Sequence, residues 1–151
     1  MSAVLSLHVL AEEMLRTGHP VSFAAPGRSM EPTIHDGEQI TVEPRIAAGV
    51  RLGEIVVYAS SVGLRAHRLL RAHHRRSTSY TVRGDAADAA PVAVPAERIL
   101  GVAVSALRGG RELSLGATGV PLGVALRRLR FLARRALAGL RVGRSRKAES
   151  R

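Results

Sequence analysis

Residues 54–72, Glu54-Ile55-Val56-Val57-Tyr58-Ala59-Ser60-Ser61-Val62-Gly63-Leu64-Arg65-Ala66-His67-Arg68-Leu69-Leu70-Arg71-Ala72, decide the reading of the fold. Two β-prone runs flank Ser61-Val62-Gly63, whose small residues suit a tight reversal. The stretch therefore predicts a hairpin with strands at 54–59 and 64–72 and His67 on the second. Similar short runs recur at 21–25, 39–43, 78–83 and 99–107. They are broken by turn residues such as His35-Asp36-Gly37 and Gly109-Gly110. That spacing argues for a mainly β protein, a partly open barrel or packed sheets. No internal repeat is visible.

The ends of the chain follow a different period. Residues 3–17 predict an amphipathic helix with Leu5, Val9, Met14 and Leu15 near helical spacing and Gly18 as its C-cap. Glu12 and Glu13 interrupt it too early for a bilayer span, and it lacks the basic start of a secretory signal. Beyond Pro121, Leu122, Ala125, Leu126, Leu129, Leu132, Ala133, Ala136, Leu137 and Leu140 alternate with arginines at helical spacing. This predicts a second, basic amphipathic helix. The expected organisation is an N-terminal helix (1–18), a β core (19–108) and a C-terminal extension (109–151).

Charge separates these parts. The formal net charge is +11, of which residues 121–151 carry +9 and the other 120 residues only +2. A cationic helix of this kind fits an anionic membrane surface through residues 122–147. Packing on the core with a solvated arginine face, or a nucleic-acid or protein partner, are the alternatives. There is no cysteine, which removes disulfides, thiolate catalysis and cysteine-based zinc sites. With 22 arginines against one lysine, an arginine at any single position carries less information than usual.

The chemistry-bearing residues are Ser29 and His67. Ser29 lies in Gly27-Arg28-Ser29-Met30-Glu31-Pro32-Thr33-Ile34, a Gly/Pro-bracketed turn that can expose a side chain. A serine hydroxyl becomes a good nucleophile only when a base takes its proton. His67, on a rigid strand, can carry that base. Each has a plainer reading: Ser29 as a hydrogen-bonded turn residue, His67 as a satisfied sheet histidine. The sole lysine, Lys147, is in a polar tail, so histidine is the available base. His73 and His74 are neighbours on a strand and point to opposite faces, so they cannot chelate one metal together. His8, His19 and His35 lack partners at ligand spacing. No metal or other cofactor is expected.

Gly27-x-Ser29-Met30-x-Pro32-Thr33-Ile34, Leu52-Gly53-Glu54-Ile55-Val56-Val57-Tyr58, His67-Arg68 and Arg83-Gly84-Asp85 together resemble the signal peptidase I superfamily of serine peptidases. The resemblance covers about half the chain and is closest to the branch that uses histidine as the base. It implies a mainly β core of the kind shared with self-cleaving repressors, Ser29 as nucleophile and His67 as general base. It also implies Asp85 as the histidine's support, with Asp88 as the alternative. Gly27, Arg28, Met30 and Pro32 would then border the oxyanion and the substrate. Glu38 and Glu54 depart from the family's Gly-Asp pairs, and acids that cap turns would be weakened there by the extra methylene.

The function this implies is a serine endopeptidase that processes a leader or signal-like peptide in a precursor protein. With neither span nor export signal in view, the expected location is cytoplasmic or peripheral at the inner membrane face. Two rivals stand beside it. One is a peptide-binding module of the same fold without activity. The other is a DNA-binding regulator, opposed by the lack of a helix-turn-helix and of a self-cleavage lysine.

Overall fold

The computed structural model describes residues 2–73, 78–86 and 90–116. Helix α1 (Ser2–Arg16) is followed by strands β1 (Val21–Ala25), β2 (Glu38–Pro44), β3 (Ile55–Ser60), β4 (Gly63–His73), β5 (Ser79–Arg83), β6 (Val92–Pro95), β7 (Ile99–Arg108) and β8 (Arg111–Ser114). Two short 3-10 turns, Ala47–Gly49 and Ala96–Arg98, precede β3 and β7. The protein is mainly β with an N-terminal helix. The strands form one curled antiparallel sheet in the order β1-β2-β7-β3-β4-β5-β6.

β7 holds the sheet together. One edge pairs with β2 along most of its length; the other is shared between β3 and β8. The core sheet therefore runs past residue 108, and Leu115 is buried beyond β8. The Gly109-Gly110 turn that joins β7 to β8 places both glycines at positive φ, where side-chain-bearing residues are strained. The sequence pattern did not single out β6 or β8, each only four residues long, with two exposed side chains in β6 and four in β8. Short edge strands have too few residues to display a period.

β3 explains the unbroken Ile-Val-Val-Tyr run. It is buried on both faces, because it divides two apolar clusters. Ile55 and Val57 join Met30, Ile34, Ile40, Val42 and Leu100 in one. Val56 and Tyr58 join Leu69, Tyr80, Val82 and Val94 in the other. Each such fully buried side chain contributes roughly 1.5–3 kcal/mol.

Helix α1 packs through a stripe that differs from the expected one. Leu15 is buried and Ala11 is partly so, whereas Val9 and Met14 are exposed. Gly18 does end the helix: at φ +88 it lets its N–H reach Leu15 O and the His19 N–H reach Met14 O. No helix among the described residues is long and apolar enough to cross a membrane. The basic stretch at 122–147, His74 and Asp88 lie outside the described residues.

Candidate active site

The loop between β1 and β2 carries Ser29, and its conformation is fixed from both ends. At its base the Gly27 N–H donates to Asp36 Oδ1 (2.7 Å) and the Gly37 N–H to Ala25 O (2.9 Å). Gly27 sits at φ +97, a turn that only glycine makes without strain. In its middle, Met30 and Ile34 are buried in the first cluster, and the Thr33 and Ile34 N–H groups both donate to Met30 O. The Glu31–Pro32 peptide is cis. Ser29 is left exposed at the crest.

Glu38 and Arg108 clamp the far side of the same loop. Arg108 donates to both Glu38 carboxylate oxygens and to Thr33 O (3.1 Å), while Glu38 Oε2 accepts the His35 N–H (2.9 Å). Arg108 holds the Glu38 carboxyl down at about 2, well below the usual carboxylate range. Glu54 does the equivalent at the next turn, accepting the Arg51 N–H (2.7 Å) and Arg45 Nη1 (2.9 Å). Both glutamates do cap their turns, and each carboxylate also reaches an arginine.

His67 lies on β4 opposite Val56 of β3. Its Nε2 is 3.4 Å from Ser29 Oγ and its Nδ1 is 3.1 Å from Tyr58 Oη. In the tautomer that leaves Nε2 unprotonated, Nδ1–H donates to the Tyr58 oxygen, and this contact holds the ring angle. Burial pushes the imidazole pKa below its ordinary value, the Arg65 charge lowers it further, and Asp85 offsets part of this. The base form is therefore the populated one at neutral pH. Burial likewise pushes Tyr58 up, keeping the phenol neutral.

Asp85 is not the histidine's hydrogen-bonding partner. Its carboxylate binds Arg68, with Nε to Oδ1 at 2.8 Å and Nη2 to Oδ2 at 2.5 Å, and also accepts Thr33 Oγ1–H at 2.6 Å. Arg68 Nη1 donates to Gly53 O (2.7 Å). Both ionic side chains are 2% exposed. The reason is steric as well as electrostatic. Arg68, adjacent to His67 on the strand, points to the opposite face and needs an anion there, and Asp85 supplies it. Asp85 reaches the imidazole only through its longer-range field.

This pairing accounts for the spacing of the sequence boxes. Thr33 from the serine loop, Arg68 from β4 and Asp85 after β5 meet in one buried network. Gly84 completes the junction by close approach. A Cβ there would lie 2.4 Å from Ser29 O, and the next N–H but one, Ala86, donates to that same oxygen (2.9 Å). Gly84→Ala is expected to push the serine backbone aside, and misplacement of a catalytic group by about 1 Å can cost about 10²-fold. Under the serine-peptidase expectation from the sequence, steady-state kinetics against a cleavable peptide should show a fall in kcat of that order. An unchanged kcat would detach Gly84 from the placement of Ser29.

Of the other expected site residues, Met30 is core as well as cleft wall, and Arg28 turns outward to Glu31 (3.0 Å). The Gly27 N–H is engaged by Asp36, so it is not an oxyanion donor. The Ser29 N–H donates to no other described group. Pro32 contributes its carbonyl to Arg108 at 3.5 Å. The sequence reading missed Tyr58, Thr33 and Arg68 as site-building groups, and His8, which lines the cleft. The signal for Tyr58 was present: it stands nine residues before His67, across a predicted hairpin, which puts it two pairs away in register and on the same face. His73 bonds Thr81 Oγ1 (3.0 Å), away from the site.

Ser29 and His67 share a cleft of about 330 Å³, walled by Phe23 and Ala25 on one side and Leu64 and Ala66 on the other. β1 is the terminal strand of the sheet, and β4 pairs with β5 only from Arg68 onward. Two strand edges with unused main-chain groups therefore border the cleft, among the described residues. Such edges bind extended peptides by adding a strand. This chain matches no protein-family model and no curated protein sequence.

Proposed function

We propose that the chain is a serine endopeptidase acting on an extended leader or signal-like peptide, with Ser29 as nucleophile and His67 as general base. The observation that carries the reading is the 3.4 Å approach of Ser29 Oγ to His67 Nε2 beside an open strand edge. That distance is at the long end for a hydrogen bond, as is common in unliganded serine–histidine pairs that tighten on substrate. The peptide lies along the β1 and β4 edges. Ser29 Oγ attacks the scissile carbonyl carbon as its proton passes to His67 Nε2, and the Ser29 N–H stabilises the oxyanion. The imidazolium then protonates the leaving nitrogen, the C–N bond breaks, and water hydrolyses the acyl-serine by the same steps reversed.

Tyr58 is the positioning residue for the base. A neutral phenol stabilises an imidazolium less than a carboxylate would, so Tyr58→Phe is expected to lower kcat by only about 2- to 10-fold, the worth of one net hydrogen bond. The depressed imidazole pKa places the acid limb of kcat/KM below 6.5 in the native enzyme. Activity rises with pH through that limb because only unprotonated His67 accepts a proton. A limb centred above 6.5 would contradict the buried base.

The reading is tested by a serine-directed fluorophosphonate probe. Labelling that requires both Ser29 and His67 supports the enzyme; a folded protein that never labels supports the inactive binding module. Placement in the cytoplasm or against the inner membrane face, through anionic lipid at 122–147, is the companion proposal and rests on the sequence alone.

A further inference from the structure

We propose that the leaving-group side of the cleft selects for an acidic residue in the peptide, received by Arg65 and Arg98 within the first three positions after the cut; this rests on the peptidase reading. A second hollow of about 240 Å³ opens next to the Ser29 cleft and shares His67 and Arg65 with it. Tyr58, Ser61, Val92 and Arg98 contribute to its walls. The proton that His67 holds goes to the leaving nitrogen, so the peptide beyond that atom runs past the imidazole toward this hollow.

The charges there are unengaged. Arg16, Arg28, Arg45, Arg68 and Arg108 each hold a carboxylate. Among the described residues, the side chains of Arg65 and Arg98 form neither ion pair nor hydrogen bond, and even Glu97 beside Arg98 does not bind it. Arg65 lies two residues from His67 on the same face of β4 and opposite Tyr58 in register. Its charge is felt at both rings, lowering the pKa of His67 and Tyr58 alike. A peptide carboxylate on Arg65 would neutralise that field and strengthen the base while substrate is bound. The two arginines thus favour acidic peptides in binding and in the proton transfer.

The experiment uses the full chain and a proteome-derived peptide library, with new amino termini read by mass spectrometry and Ser29→Ala as the blank. Asp and Glu are expected to be enriched about 3- to 10-fold over Gln and Asn within the first three positions after the cut, the range of two partly solvated ion pairs. The double variant Arg65→Glu, Arg98→Glu is expected to move the enrichment to Lys and Arg. Because enrichment is a ratio within one sample, it does not depend on the variant's overall activity. Cleavage with no charge preference, or a preference unchanged in the double variant, overturns the subsite and leaves the peptidase standing. No Ser29-dependent cleavage of any peptide removes the peptidase reading and this inference with it.

Discussion

Alanine at Ser29 is expected to abolish peptide cleavage, with a loss of at least about 10⁴-fold in kcat and a folded protein left behind. The side chain stands exposed at the crest of its loop, and among the described residues its only hydrogen-bond partner is His67. Removing one hydroxyl there opens no cavity and orphans no buried group, so stability should change by less than about 0.5 kcal/mol, as for other surface substitutions. His67→Ala should be as damaging to turnover but not as innocent structurally. The ring is 8% exposed and its loss leaves the Tyr58 hydroxyl without that partner. Groups that act as one unit are not additive: the Ser29→Ala, His67→Ala double variant should be no slower than either single variant. Multiplying losses in a kinetic comparison would mean that the two residues act separately. Substantial cleavage by either single variant would remove the dyad.

Much of the scaffold was legible because its signals are local. Alternation in Ser79–Arg83, the doubly buried Ile55–Tyr58 run and the turn at Ser61-Val62-Gly63 each fix an element by period or turn chemistry. The serine–histidine approach was legible through the motif wording at Ser29 and His67, and the hairpin supplied the strand that carries the base. The partner of His67 was not. Choosing between Tyr58 and Asp85 requires knowing which face of β4 each approaches, and that is set by strand register and by the need of Arg68 for an anion. Both are tertiary facts. The helix stripe held at Leu15 but not at Val9 or Met14 for a related reason: α1 presents Leu15 and Ala11 to the core, leaving Val9 63% exposed, because packing rather than amphipathic symmetry decides which side is covered.

The buried Arg68–Asp85 pair yields the largest effect expected on stability. Asp85→Ala leaves a guanidinium that is 2% exposed with, among the described residues, only Gly53 O and Thr33 Oγ1 as partners. Stranding a buried charge in this way typically costs about 3–5 kcal/mol. Against the roughly 5–15 kcal/mol of a whole domain, this is enough to unfold much of the population on modest heating. Urea titration should show a lower midpoint with an unchanged slope. Joining Arg68→Met to Asp85→Ala removes the stranded charge and should recover more than half of the loss, since buried ion pairs are often replaceable by apolar side chains of similar volume. Recovery of stability need not restore turnover. The Thr33 hydroxyl loses both of its described partners in the double variant, and Thr33 belongs to the loop that presents Ser29. The pair of measurements separates two roles for Asp85. Were it a direct support of His67, Asp85→Ala would slow turnover at near-native stability, and Arg68→Met would offer no rescue. A stability loss under about 1 kcal/mol for Asp85→Ala would remove the ion pair from its place as the junction of serine loop, β4 and the Gly84 turn.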